Sequence, residues 1–152
     1  MNSSSERKKQ SIKIANMTRQ ATQKLKTMTD EYLATFDTAK QFSFSDAKNN
    51  KDKYEYNYYL FASSMIETVR ELSSLNAELS SLLIIADQNM DVELIAALQK
   101  RFDAFLIFEK ALYEYTSSVE TTLDEGKATM AFLVNSANKF KKSIENLANE
   151  NT

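Results

Sequence analysis

Four side chains near the middle of the chain carry oxygen or amide groups at alternating positions: Asp87, Asn89, Asp91 and Glu93. Oxygen ligands at this spacing can converge on a calcium ion, in a loop that turns at a glycine and closes on a bidentate glutamate. Val92 stands where the glycine is needed and Leu98 where the glutamate is needed. The pattern therefore favours a turn between helices, in which Asn89 ends one helix and Asp91 caps the next.

Several residue types on which enzymes depend are missing from the chain of 152 residues. It contains no histidine and no cysteine, and only one glycine. Histidine is the most frequent general acid or base, zinc sites are built mainly from cysteine and histidine, and phosphate-binding loops are rich in glycine. Carboxylate pairs on one helical face, such as Glu67 and Glu71, are typical of a solvated surface. The sequence therefore predicts a protein that is not an enzyme and has no cofactor or metal.

Helix is the predicted structure for almost the whole chain, because the residues that interrupt helices are nearly absent. There is no proline, and the single glycine is Gly126. Apolar residues make up 43% of the chain, which is enough for one globular core. We expect one all-α domain over residues 1–152, with flexible ends at residues 1–4 and 149–152.

Apolar periodicity predicts an antiparallel bundle of three long helices, at about residues 4–42, 51–87 and 91–148. Ser3 and Glu6 have the spacing of a capping box, which starts the first helix near residue 4.

Each predicted helix carries an apolar stripe with its own spacing. The stripe of the first helix repeats every 11 residues and comprises Ile14, Met17, Ala21, Leu25, Met28, Tyr32, Phe36 and Ala39. The second helix has a heptad seam that comprises Tyr58, Phe61, Met65, Thr68, Leu72, Leu75, Leu79, Leu82 and Ala86. The third keeps one heptad register from Ile95 to Leu147, with Glu109 and Thr116 as polar interruptions.

Gly126 decides between two versions of this bundle. The register of the third helix passes through it without a slip, and an interior glycine costs a helix only about 1 kcal/mol relative to alanine. The sequence favours a continuous helix that overhangs its partners by roughly 20 residues, or about 30 Å. A second chain would then have to cover the overhanging apolar stripe. The alternative is a four-helix bundle with a turn at Gly126.

Apolar residues in excess of a small core are the predicted sites of contact with a partner. Residues 82–85 and residues 105–108 are apolar around most of the helix circumference. Such a helix is either surrounded by its neighbours or exposes a surface for a partner. With the stripe after Gly126, the candidate interface residues are Leu82, Leu83, Ile84, Ile85, Met130, Leu133, Val134, Phe140, Ile144 and Leu147.

Charge is unevenly distributed along the chain, although the net charge is only −2. Residues 1–29 hold seven basic residues and one acidic residue, whereas residues 67–125 hold four basic and twelve acidic residues. An antiparallel bundle places the start of the first helix beside the acidic end of the second. Internal complementarity is therefore favoured over nucleic acid or a membrane surface for a basic face that comprises Arg7, Lys8, Lys9 and Lys13.

The function that the sequence favours is a non-enzymatic interaction or assembly protein, which packs its helices against further copies of itself or a helical partner. The alternatives are an exported filament, translocator or chaperone-type protein, and a nucleic-acid-binding accessory protein that uses its basic first helix. The chain contains no apolar run of 18 residues and no hydrophobic segment near its start. We expect a cytoplasmic protein, or one exported without a cleavable hydrophobic signal peptide.

Overall fold

The structure, a computed structural model, describes residues 3–34, 51–125 and 130–152, and side chains within them at 3–32, 34, 58–121 and 135–152. The described residues form α-helices and no strand, which confirms the predicted all-α class. The helices are α1 (Ser4–Ala34), α2 (Lys51–Gln88), α3 (Val92–Glu125) and α4 (Met130–Glu150). The bounds of α2 and the start of α3 agree with prediction to one residue. The predicted continuation of the first helix to residue 42 lies outside the described residues.

The helices pack in a ring in which each contacts two neighbours. α1 packs against α2 and α4, and α3 packs against the same two helices. Successive helices run antiparallel, so α1 and α3 run parallel at diagonally opposite corners. The long side chain of Arg101 on α3 crosses this diagonal, and its Nη1 donates to Ser11 Oγ on α1 at 2.7 Å. None of the described helices combines the length and apolar character needed to cross a bilayer.

The predicted capping box starts α1. The backbone N–H of Glu6 donates to Ser3 Oγ at 3.2 Å, and the backbone N–H of Ser3 donates to Glu6 Oε2 at 3.3 Å. Two amide groups that the helix leaves without an internal partner are thereby satisfied.

The turn between α2 and α3 has the two hydrogen bonds of a Schellman motif. The N–H of Asp91 donates to Ala86 O at 3.0 Å, and the N–H of Met90 donates to Asp87 O at 3.1 Å. Met90, with a φ of 54°, occupies the left-handed position that glycine usually fills. Asn89, the predicted helix stop, instead donates its side-chain amide to Ile85 O at 2.8 Å.

The predicted stripes of α1 and α2 line the core wherever their side chains are described, with Met17 and Met28 half-buried. The core of α3 is wider than its predicted heptad seam. Phe108 and Tyr115 lie outside that seam, yet both are buried, whereas Phe102 is only half-buried. Because α3 contacts both α2 and α4, it buries two adjoining faces, and a heptad seam accounts for only one.

The favoured continuous helix over residues 91–148 does not describe this chain. The rings of Tyr115 and Phe140 stack with centroids 5.1 Å apart, whereas a single helix would separate these residues by about 38 Å. At the far end of the same pair of helices, Arg101 Nε donates to Glu150 O at 3.3 Å. α4 therefore folds back along α3, as in the four-helix alternative, although Gly126 itself lies outside the described residues. The overhang that called for a second chain does not exist.

Candidate interaction surface

Most of the described interface candidates face inward. Leu82, Phe140, Ile144 and Leu147 have at most 1% of their surface exposed and pack in the chain's own core. They are therefore not available to a partner, and for the three residues on α4 the packing of that helix on α3 supplies the cover that a second chain was expected to provide. Leu83 and Ile85 are half-buried and Ile84 is exposed. The side chains of Met130, Leu133 and Val134 lie outside the described residues.

The second apolar run, residues 105–108, is divided between core and surface. Phe105 and Phe108 are buried, whereas Leu106 and Ile107 are 49% and 55% exposed. Tyr113, two turns beyond Leu106, is 74% exposed. Since residues seven apart lie on nearly the same side of a helix, Leu106 and Tyr113 stand on one outward face with Ile107 beside them. We call these three residues the α3 ridge.

A groove lies on the α2 side of the ridge, at Tyr113. It has a volume of about 360 Å³, and Tyr113 forms part of its wall together with Ile66 of α2. Ile66 is 48% exposed, and Val69 and Leu112 on the groove floor are half-buried. The ridge therefore continues into a second strip of apolar surface that the fold leaves in contact with water.

A wider groove of about 540 Å³ lies on the α4 side, with Ile107 of the ridge in its wall. Ala111 on α3 and Ser143 on α4 are both buried, and their small side chains let the two helices approach closely. Lys110, Lys139 and Lys142 line the groove together with Glu114 and Asn146. Basic side chains therefore flank the ridge on this side.

Exposed carboxylates lie beside the ridge along α3, whereas Lys139 and Lys142 line the groove on its α4 side. The carboxylates are Asp103, Glu109, Glu114 and Glu120, and Lys110 is the exposed base among them. Over its whole length α3 holds seven acidic and three basic residues. The ridge is thus an apolar strip on the acidic corner of the bundle.

The diagonally opposite corner, α1, has the reverse charge. α1 holds seven basic and three acidic residues, and no acidic residue lies between Glu6 and Asp30. Lys8, Lys9 and Lys13 are exposed, and Ile12 among them is 59% exposed. We call the outward strip of Lys8, Lys9, Ile12, Lys13 and Arg19 the α1 edge.

Internal complementarity holds for Arg7, the one member of the predicted basic face that lies inside the bundle. Its Nε is 3.5 Å from Asp91 Oδ2, and only 7% and 15% of the two side chains are exposed. Ser4 Oγ donates to the same carboxylate oxygen at 3.4 Å. Arg7 thus lies beside the acidic turn, as the sequence indicated. The sequence did not indicate that Arg7 would be buried while Lys8, Lys9 and Lys13 stay exposed.

Two more ion pairs join α1 to α4. Lys141 Nζ lies 2.9 Å from Asp30 Oδ1, and Lys26 Nζ lies 3.8 Å from Glu145 Oε1. All four side chains are a third exposed or more, so solvent screens both pairs and each adds little to stability.

Three tyrosines are buried at the other end of the bundle. Tyr58 donates its hydroxyl to Glu120 Oε1 at 3.3 Å, and burial, reinforced by that carboxylate, raises its pKa to about 12. Burial also raises the pKa of Tyr32 and of Tyr115. The Tyr115 hydroxyl has no hydrogen-bond partner among the described residues. All three phenols are therefore protonated at neutral pH, so none serves as a base there.

Among the described residues, no group of three acidic side chains is placed so that it could hold a metal ion. Asp91, the central residue of the calcium-like spacing, is engaged by Arg7. Comparison of the chain with protein families, curated proteins and solved structures finds no match. The candidate functional surfaces are therefore the α3 ridge and the α1 edge.

Proposed function

We propose that the chain is a non-enzymatic interaction module, which docks a basic amphipathic helix of a protein partner on the α3 ridge. The observation that carries this proposal is the exposure of Leu106, Ile107 and Tyr113 together on one helix. A helix in an isolated bundle turns polar residues outward, whereas a contiguous apolar strip is typical of an interaction site.

The form of the surface supports a helical ligand. Leu106 and Tyr113 are seven residues apart, the repeat at which a docked helix meets the same face again. The groove beside Tyr113, which Ile66 also lines, gives the ligand's apolar side chains a place to insert.

The charge of the surface supports a basic ligand. Asp103, Glu109, Glu114 and Glu120 lie beside the ridge on α3 and are all exposed, whereas the basic side chains of Lys110, Lys139 and Lys142 line the groove on the α4 side. Carboxylates beside an apolar strip attract a cationic partner and reject an anionic one, and they contribute more to selectivity and association rate than to affinity.

Fluorescence anisotropy with two labelled helical probes tests the proposal. One probe is a leucine–lysine amphipathic peptide, and the other is its leucine–glutamate counterpart. We expect the full chain to bind the lysine probe and reject the glutamate probe. Leu106→Glu should weaken binding at least about tenfold, equivalent to about 1.4 kcal/mol. Ile84→Glu is the matched control, because Ile84 is at least as exposed as Leu106 but lies on α2. Equal binding of both probes, or no binding, would contradict the proposal.

A second candidate function, nucleic-acid binding, is favoured by the α1 edge. Between Glu6 and Asp30 the helix carries only basic charge, and Lys8, Lys9 and Lys13 are exposed. Binding to phosphates would weaken steeply with salt and would be lost when these three lysines are replaced by glutamine. A gel-shift experiment with duplex DNA and RNA at low salt tests it, and the absence of any shift removes it.

A further inference from the structure

We infer that the helix which occupies the α3 ridge is the α1 edge of a second copy of this chain, so that bundles associate side by side. The inference rests on the proposed function and identifies its partner. It draws on a relation between the two corners of the bundle rather than on either corner alone.

The first support is that the basic residues of the α1 edge and the acidic residues of α3 cannot meet within one molecule. α1 carries seven basic and three acidic residues, and α3 carries the reverse numbers. The two helices occupy diagonal corners, with α2 and α4 between them. Their outer faces therefore point away from each other, and only a second molecule can bring a basic corner onto an acidic one.

The second support is that both surfaces place apolar side chains among the charges. Ile12 is 59% exposed between the lysines of the α1 edge, and Leu106 and Ile107 are about half exposed on the ridge. When the apolar groups meet, water leaves both, and the charges form a rim around them. A purely charged contact at the surface would gain much less.

The third support is the register. Parallel helices have the same rise per residue. Once Ile12 is placed beside Leu106, every other pair of neighbouring residues has the same difference in residue number. That offset brings Lys9 beside Asp103 and Arg19 beside Tyr113, whose neighbour is Glu114. Two complementary charge contacts and one contact of arginine with an aromatic ring therefore follow from a single alignment.

This contact joins two different surfaces, so it does not form a closed, two-fold symmetric dimer. Because α1 and α3 are parallel in one chain, the second copy is related to the first mainly by a sideways translation. Each added copy presents a free α1 edge at one side and a free α3 ridge at the other. Such a heterologous contact propagates into an open row of bundles unless a rotation closes it into a ring.

Light scattering on the full chain, with concentration and salt varied, tests the inference through a charge exchange. We expect wild-type mass to rise with concentration and to fall with salt. Lys9→Glu and Asp103→Lys should each raise the concentration needed for association about tenfold. An equimolar mixture of the two variants should associate like wild type, because each contact in an alternating row again joins opposite charges.

Cysteine pairing tests the register independently, since the chain has no cysteine of its own. A mixture of Ile12→Cys and Leu106→Cys chains should form a disulfide-linked dimer under mild oxidation. A mixture of Ile12→Cys and Ile84→Cys chains should form at least about tenfold less, because the proposed contact does not bring these residues together.

The outcomes separate the inference from the proposed function. A chain that stays monomeric at every concentration but binds the lysine probe overturns the inference and leaves the proposed function intact. If the chain associates but the charge exchange does not change its association and the Ile12→Cys and Leu106→Cys chains do not cross-link, the proposed register is wrong. The inference is then overturned with it. A monomer that shifts duplex nucleic acid through Lys8, Lys9 and Lys13 assigns the α1 edge to nucleic acid, which also overturns the inference.

Discussion

Arg7 Nε lies 3.5 Å from Asp91 Oδ2, with both side chains largely removed from solvent. The pair ties the first turn of α1 to the turn between α2 and α3. Removal of one partner from a shielded ion pair leaves the other charge without compensation, which costs more than the pair itself contributes.

Asp91→Asn should therefore lower the free energy of unfolding by about 2 kcal/mol, as measured by urea denaturation. The double variant Arg7→Met/Asp91→Asn should recover much of that loss, because it removes both charges. Asp87→Asn is the control, since Asp87 is exposed near the same turn, and it should change stability by less than about 0.5 kcal/mol. Additive losses in the double variant would show that the pair is not coupled.

Replacement of Met90 by glycine should stabilise the folded chain. Its φ of 54° is a left-handed conformation, which costs a residue with a Cβ atom about 1 kcal/mol. Its side chain is 81% exposed, so little packing is lost on replacement. We expect Met90→Gly to raise the thermal midpoint and Met90→Ala to leave it nearly unchanged. A lower midpoint for the glycine variant would mean that backbone freedom in the unfolded chain outweighs the relief of strain.

Tyr115→Phe should be neutral or stabilising by up to about 1 kcal/mol, which is unusual for a fully buried residue. Tyr115 is 0% exposed and its hydroxyl has no described hydrogen-bond partner, so the variant removes a desolvated polar group and keeps the stacked ring. Tyr115→Ala should cost about 3–5 kcal/mol, because the ring packs on Phe140. Urea denaturation of both variants measures the difference. A marked loss in the phenylalanine variant would reveal a hydrogen bond to that hydroxyl.

Stability should fall at alkaline pH. Burial raises the pKa of Tyr32, Tyr58 and Tyr115 in the folded chain, to about 12 for Tyr58. The unfolded chain loses these protons from about pH 10. Stability is therefore fully present below that pH and declines as the pH rises toward the folded pKa values, by up to about 1.4 kcal/mol per pH unit for each phenol. Denaturation curves followed by tyrosinate absorbance measure the decline. It should be shallower in Tyr115→Phe, and a constant stability up to about pH 12 would contradict the expectation.

The features that depend on local helix geometry could be predicted from the sequence. The capping box at Ser3 and Glu6 and the stripes of α1 and α2 follow from spacing along one helix, and their members among the described residues lie where expected. The path of the chain after α3 could not be predicted in this way. A hairpin and a continuous helix both require inward-facing residues on either side of Gly126, so the unbroken register from Ile95 to Leu147 fits both.

The candidate surface could be predicted only in part, because exposure depends on which faces the neighbouring helices cover. The apolar run at residues 105–108 predicts either core or partner surface. It supplies both, because neighbouring helices bury Phe105 and Phe108 but leave Leu106 and Ile107 about half exposed. Phe140 was assigned to an interface on the assumption that its helix has no neighbour. Its burial follows from a contact with Tyr115 that no local pattern encodes.

The diagonal placement of α1 and α3 also determines how a single molecule responds to an electric field. The dipoles of antiparallel helices largely cancel along the length of the bundle. The opposite side-chain charges of the two diagonal corners do not cancel. The side-chain charges of these two helices therefore contribute a moment across the bundle, directed from α3 toward α1, which in low salt favours a broadside orientation to the field.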